Sequence, residues 1–291
     1  MPSLFASADA SSLEGQRRHI RGVIWRSRLA VLAAVGGVAS WRVGDRGFDL
    51  LAIVTMCSLL VLLAVEFRLK TGRADRAWYD GRAVAESAKS LTWRFAVRGV
   101  PFDRIDGNQS LRFIGELAQL LRDVQLEPVV LDAERPVVPG AVNALRASSL
   151  GIRKEVYIRD RIGDQQEWYA KQARINQSRA ERWSIALLTV ELAGIGAAAF
   201  KIVGWVSFDL AGVIAALIGV GAARLGVGQY ATNARAYSFA TAELAIVRAR
   251  LEAVDCNSAD AEASWSTEVG DAEEAVSREH TMWRASRSKP G

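Results

Sequence analysis

Side chains that commonly do chemistry are scarce in this sequence. Its 291 residues include two histidines, His19 and His280, and two cysteines, Cys57 and Cys256. Both histidines lie in the terminal stretches, a poor place from which to build an acid–base pair or a metal cluster. Two cysteines close one disulfide at most, which excludes a disulfide framework. No glycine-rich loop follows a strand-like run, there is no Gly-Lys-Ser/Thr, and no serine or cysteine has a histidine within a plausible core. No catalytic, cofactor-binding or metal-binding residue is therefore assigned, and the chain is not expected to be an enzyme.

One acid stands in an unusual place. Glu191 lies eight residues after Trp183, inside a run from Trp183 to Phe200 that carries no other charge. If that run crosses a bilayer, a mid-span carboxylate costs about 2.5–3.5 kcal/mol or more unless it faces water or a partner. It is either a pore-lining or gating group, or a protonated or hydrogen-bonded residue that fixes helix packing. Thr55 and Ser58, three residues apart in another uncharged run, share a helical face and could line the same path. The plainer reading is that such hydroxyls bond back to their own helix.

The elements that would carry these residues follow from proline and charge. Pro101, Pro128, Pro136 and Pro139 cluster in a central linker, while residues 3–100 and 140–289 contain no proline and are rich in Ala, Leu, Arg and Glu. Proline in a helix interior costs about 3 kcal/mol, so both long blocks read as helical. The linker holds one helix of its own, with Leu111, Ile114, Leu117, Leu120 and Leu121 as its apolar stripe. Each block repeats one plan: basic helix, apolar run, short polar turn, apolar run, helix. The runs are Leu29–Trp41 and Leu50–Val65, then Trp183–Phe200 and Leu210–Ala223. Phe48-Asp49-Leu50 in the first block is answered by Phe208-Asp209-Leu210 in the second, an internal duplication.

These runs are shorter than the roughly 20 residues of a typical span, yet their surroundings favour a membrane. Trp25 and Trp41 bracket the first, and Trp183 and Trp205 the third, as interfacial anchors. Arg17, Arg18, Arg21, Arg26 and Arg28 precede the first hairpin, and Arg68, Lys70, Arg73 and Arg76 follow it. By the positive-inside rule both termini and the linker are cytoplasmic. Small residues at four-residue spacing, Ala33/Gly37, Gly194/Ala198, Gly212/Ala216 and Ala215/Gly219, would let span backbones approach closely. The remaining alternative is the core of a soluble helical bundle.

Charge is unevenly spread. Residues 252–291 hold nine acids and four bases, so the other 251 residues carry a net charge of +10. Those bases gather beside the apolar runs instead of forming a separate stripe, which points to lipid headgroups and not to nucleic acid. Trp78, Tyr79, Trp93, Trp168 and Tyr169 are spaced to meet in a bundle core. Arg82, Arg94, Arg161 and Lys171 could hold an anion, or could pair with Glu86, Asp160, Asp164 and Glu167 along the same helices.

Two stretches carry a resemblance. Arg161, Asp164-Gln165, Trp168-Tyr169 and Lys171, set before a two-helix hairpin, resemble the SLATT family, the SMODS and SLOG-associating two-transmembrane effector domains. Trp78, Gly81-Arg82, Ala85-Glu86-Ser87, Trp93-Arg94 and Pro101-Phe102 resemble the matching part of a sister subtype. The resemblance implies a bacterial conflict-system effector of the inner membrane, acting with a separate chain that carries a SLOG nucleotide-sensing domain or a nucleotide synthase.

The expected molecule is all-α and multi-pass, with two transmembrane hairpins and four spans. Residues 1–14 form an N-terminal tail, 15–105 a first hairpin module, 106–149 the linker, 150–255 a second module, and 256–291 a disordered or loosely helical acidic tail. The expected function is a homo-oligomer that permeabilises the membrane. A membrane-anchored scaffold or sensor that binds its partner through the helical bundle is the alternative.

Overall fold

A computed structural model describes residues 1–36, 42–43, 48–71, 74–104, 108–123, 136–205 and 211–287. The described chain is all-helical apart from two paired dipeptides. Its helices are α1 (Ser3–Gly36), α2 (Leu50–Thr71), α3 (Ala74–Ala96), α4 (Gln109–Asp123), α5 (Gly140–Ala147) and α6 (Leu150–Tyr157). After the π-helical turn Ile158–Gly163 come α7 (Asp164–Ile202), α8 (Ala211–Gly228), α9 (Tyr230–Ala253) and α10 (Ala261–Arg287). The dipeptides β1 (Arg42–Val43) and β2 (Phe48–Asp49) pair antiparallel, Arg42 opposite Asp49 and Val43 opposite Phe48. They lie in the polar turn expected between the first two apolar runs. Asp49 ends the turn and caps α2, its Oδ1 accepting from the backbone N–H groups of Leu51 and Ala52 at 3.0 and 3.2 Å.

The chain divides into two compact units. One contains residues 17–72 and 172–236, and holds the apolar stretches of α1, α2, α7 and α8 together with the start of α9. Its apolar surface points outward: Leu60, Leu63 and Phe67 on α2 and Ile185, Leu188, Leu192 and Ile195 on α7 are all exposed. Three stretches are long and apolar enough to cross a membrane: Leu50–Arg68, the α6–α7 segment Leu150–Ile202, and Val213–Ala253. Almost none of their most apolar residues is buried inside the chain. A soluble bundle would turn this surface inward, and its outward placement suits lipid as the surrounding solvent. The first expected run, Leu29–Trp41, leaves the described residues after Gly36.

The second unit contains residues 1–16, 73–171 and 237–291 and is built like a water-soluble domain. Phe95, Phe102 and Phe113 form its aromatic centre, with Phe95 stacked on Phe113 at 4.5 Å between centroids and Phe102 edge-on to both. Around them pack Val84 and Ala88 of α3, Leu117 of α4, Val142 of α5, Tyr157 of α6, and Trp265 and Val269 of α10.

Three sequence-based expectations are corrected here. The acidic tail is not loose: α10 spans Ala261–Arg287 and buries Trp265, Val269, Ala272, Glu273 and Val276, because an apolar stripe runs through its acidic surface. The N-terminal tail belongs to α1, and it buries Leu4 and Ala8 in the same unit. The linker helix faces inward through Phe113 and Leu117, with Leu120 and Leu121 half-buried, whereas Leu111 and Ile114 are exposed. The aromatic ring at 113 outcompetes the aliphatic stripe for the core because it has Phe95 to stack on.

Candidate functional site

In the apolar unit each hairpin is held by a close glycine contact. A Cβ on Gly36 would lie 2.6 Å from Thr55 Oγ1 and 3.2 Å from the Leu51 carbonyl, so α1 and α2 nearly touch there. Arg26 and Glu66 meet at 3.4 Å toward the other end of the same helix pair. In the α7–α8 hairpin a Cβ on Gly194 would lie 2.8 Å from Ile214 Cγ2, and one on Gly221 would overlap Leu187. The expected packing residues fall unevenly against this geometry. Ala33 is buried and Gly194 sits at a true contact, but Gly219 opens onto empty space and Ala198 is exposed. Ala216 is half-buried and Ala215 is exposed. Gly37, Trp41 and the immediate surroundings of Gly212 lie outside the described residues. The contacts at Gly36 and Gly221 went unread because small-xxx-small spacing in an Ala- and Gly-rich chain does not say which face a neighbour occupies.

The polar candidates separate in the same way. Thr55 Oγ1 donates to the Leu51 carbonyl of its own helix at 2.9 Å, with the Ala33 carbonyl of α1 at 3.4 Å. Ser58 is buried. Thr55 is thus bonded back to its own helix, and Ser58 is shielded from solvent within the single chain. Glu191 is exposed on α7, between the exposed Leu188 and Leu192. Thr189, nearby on the helix, bonds back to the Ile185 carbonyl at 2.8 Å. Trp25 and Trp205 are exposed, Trp205 stacks on Phe200, Arg28 lies 5.7 Å over the Trp25 ring, and Trp183 is half-buried. An apolar groove of ≈ 420 Å³ runs beside Val31, Leu32 and Val35 of α1 and reaches Val220 of α8.

The second unit holds a charged cluster deep in its core. The π-helical turn, which accommodates an extra residue and is uncommon outside functional or strained positions, carries Arg161 inward. Arg161 grips Glu273 of α10 with two bonds, Nε to Oε1 at 2.9 Å and Nη2 to Oε2 at 2.7 Å, and neither side chain reaches solvent. Tyr157 donates to Glu273 Oε1 at 3.0 Å, and Ser90 also hydrogen-bonds that carboxylate. Burial alone would push the Glu273 carboxyl up; the charge and hydrogen bonds of Arg161 outweigh it and hold the group below the usual carboxylate range. Burial likewise opposes the Arg161 charge, and Glu273 overrides it. Burial, then the Tyr157 position beside Glu273, pushes the phenol well up. Burial and the neighbouring Arg161 lower Lys89.

A second knot lies at the end of α3, where three carbonyls are taken by side chains from elsewhere in the unit. Arg146 donates to Phe95 and Phe102, Arg153 to Val97, and Trp265 Nε1 to Val97 at 2.8 Å. The buried Arg153 also meets Glu262 of α10. Arg98 sits at φ 59°, and its Nε bonds the Arg146 carbonyl. A Cβ on the following Gly99 would overlap Val269, so α10 closes on a position that only glycine allows.

The motif residues thus have places. Arg161 is inside and paired across to α10, not along its own helix as expected. Asp160 instead takes Arg159 at 2.6 Å. Tyr169 is buried and stacks on Tyr237, with Trp168 edge-on beside it and Arg82 5.9 Å over the Trp168 ring. Trp93 sits edge-on to Tyr157, and the surroundings of Trp78 and Tyr79 lie outside the described residues. Glu273, Arg146, Arg153 and Trp265 were missed, because nothing local in the sequence marks a partner that lies 44 to 168 residues away along the chain.

Family comparison fits this arrangement. The model for SMODS and SLOG-associating 2TM effector domain 3 matches residues 2–154, and that for SMODS and SLOG-associating 2TM effector domain 1 matches residues 157–283. The chain belongs to the SLATT family. It carries two SLATT domains in tandem, from two subtypes, and the matched ranges extend past the expected module bounds to include α4, α5 and α10. SLATT domains are two-transmembrane effector domains associated with SMODS and SLOG, in keeping with an outward apolar surface on each hairpin. No curated protein and no solved structure matches the chain.

Proposed function

We propose that the chain is the membrane effector of a bacterial nucleotide-linked conflict system, which assembles with copies of itself in the inner membrane and makes that membrane permeable. The observation that carries this reading is Glu191. It is exposed on α7 among Ile185, Leu188, Leu192 and Ile195. A carboxylate on a lipid-facing surface is disfavoured by several kcal/mol, so this face needs water or protein against it, and a second subunit supplies either. Two hairpins from one chain seldom enclose a water-filled path, and several chains can. Thr55 and Ser58 are then packing residues of the first hairpin, and Glu191 alone stays as the path-lining or gating group.

Both termini and the linker are placed in the cytoplasm, where the water-soluble unit would meet the signal. That signal comes from a separate chain carrying a SLOG domain or a nucleotide synthase. A second reading, a membrane-anchored scaffold or sensor, draws on one feature of the soluble unit: a groove of ≈ 920 Å³ beside the π-helical turn, edged by Lys154, Arg159, Asp164, Glu167 and Arg248. Its mixed charges suit a protein surface.

Inducible expression in a bacterium, with a dye reporting membrane potential and with insertion confirmed, separates the two. Depolarisation by the wild type and its loss in Glu191→Ala is the expected result. Equal depolarisation by both would remove Glu191 from the path. Insertion without depolarisation, even with the neighbouring genes co-expressed, would favour the scaffold.

A further inference from the structure

Helix α9 packs inward through Ala240, Leu244 and Leu251. Its other side is bare: Phe239 is 70% exposed and Ile246 65%, and Ala242, Ala249 and Ala253 are exposed beside them. The positions 239, 242, 246, 249 and 253 alternate steps of three and four, the spacing of a coiled-coil seam, with bulky side chains at one core position and alanine at the other. We propose that this stripe is a seam between two copies of the chain, with their α9 helices side by side and parallel.

Three features select a second copy in that orientation. The stripe carries both its knobs and its holes. Alanine at 242 and 249 lets two identical helices approach closely enough for Phe239 and Ile246 to leave water, and a symmetric contact must be self-complementary in this way. The flanking charges agree. Glu243 and Arg250 flank one side of the stripe and Ser238 and Ala245 the other; a parallel pair sets Glu243 opposite Ser238 and Arg250 opposite Ala245, while an antiparallel pair in the register that buries Phe239 against Ala249 brings the two Glu243 carboxylates together. Chain direction agrees as well. Only Gln229 separates α9 from the span-length α8, so copies inserted in one bilayer run the same way. This last step rests on the membrane reading proposed above. Arg235, exposed one heptad position before Phe239, ends the seam.

The test uses the full-length chain in membranes of the expressing bacterium, with Cys57→Ser and Cys256→Ala removing the native thiols. Single cysteines replace Ala242, Ala249 or, as a control exposed on α10, Ala263. Mild oxidation should give homodimer cross-links at 242 and 249 several-fold above 263. The added pair Phe239→Glu and Ile246→Glu should abolish them while leaving the melting transition of the soluble unit in place. Cross-linking equal at all three positions, or links from 242 and 249 to a different protein, would overturn the seam. Depolarisation recorded in the same cells keeps the two proposals apart: depolarisation without seam cross-links sinks the seam alone, and seam cross-links without depolarisation, with the neighbouring genes co-expressed, sink the pore alone.

Discussion

Glu273 is the side chain on which the soluble unit depends most. It receives Arg161, Tyr157 and Ser90 out of reach of water, so removing its charge strands a buried guanidinium. Glu273→Gln should cost about 3–5 kcal/mol in a denaturant melt of the soluble unit's fluorescence. The double replacement Arg161→Met with Glu273→Leu should recover much of that loss, since neither charge is then buried alone. A double variant as unstable as the single would show that the packing, not the uncompensated charge, was responsible. The pH dependence follows from the same group. Its carboxyl is held below the ordinary value of 4.5, so the folded state binds its proton less readily than the unfolded one. That stabilisation is complete above about pH 5 and is lost as pH falls through the depressed value. The wild type should lose stability steadily below pH 4.5, and Glu273→Gln should lack that part of the acid limb.

At the scale of elements, the tightest approaches are made at glycines. Gly99→Ala should destabilise the soluble unit by about 1–3 kcal/mol, because the new methyl overlaps Val269 of α10. Gly219→Ala meets open space and should be neutral, whereas Gly221→Val should loosen the α7–α8 hairpin at Leu187; detergent thermal-shift curves for the three variants give the order directly. The sequence was readable where periodicity and composition act alone. Proline-free blocks became long helices, and the second, third and fourth apolar runs lie in or overlap stretches whose most apolar residues are almost all unburied. It was unreadable where a partner comes from far along the chain. The acids that suggested a loose end at α10 hid a stripe of Trp265, Val269, Ala272 and Val276, and Glu273 among them is a core residue with its partner on the π-helical turn. Deleting residues 257–291 should therefore leave the soluble unit unfolded and protease-sensitive, where a loose tail would be trimmed without effect.

For the molecule as a whole, the two units contrast in how they treat apolar surface. One gathers its aromatics inside; the other turns leucines and isoleucines out along α2 and α7. Water suits the first and hydrocarbon the second. SLATT domains are two-transmembrane effector domains and each half of the chain matches one; on the proposed membrane reading, the bases beside the hairpins would face the cytoplasm. The most direct measurement is topology in the living cell, with paired reporters active on opposite sides of the inner membrane. They would be fused at both termini, in the linker, and in the turns Arg42–Asp49 and Lys201–Asp209. Both termini and the linker should report the cytoplasm and both turns the outside, with the chain released from membranes only by detergent. Turns reporting the cytoplasm, or a chain recovered in the soluble fraction without detergent, would contradict the two-hairpin membrane protein proposed above.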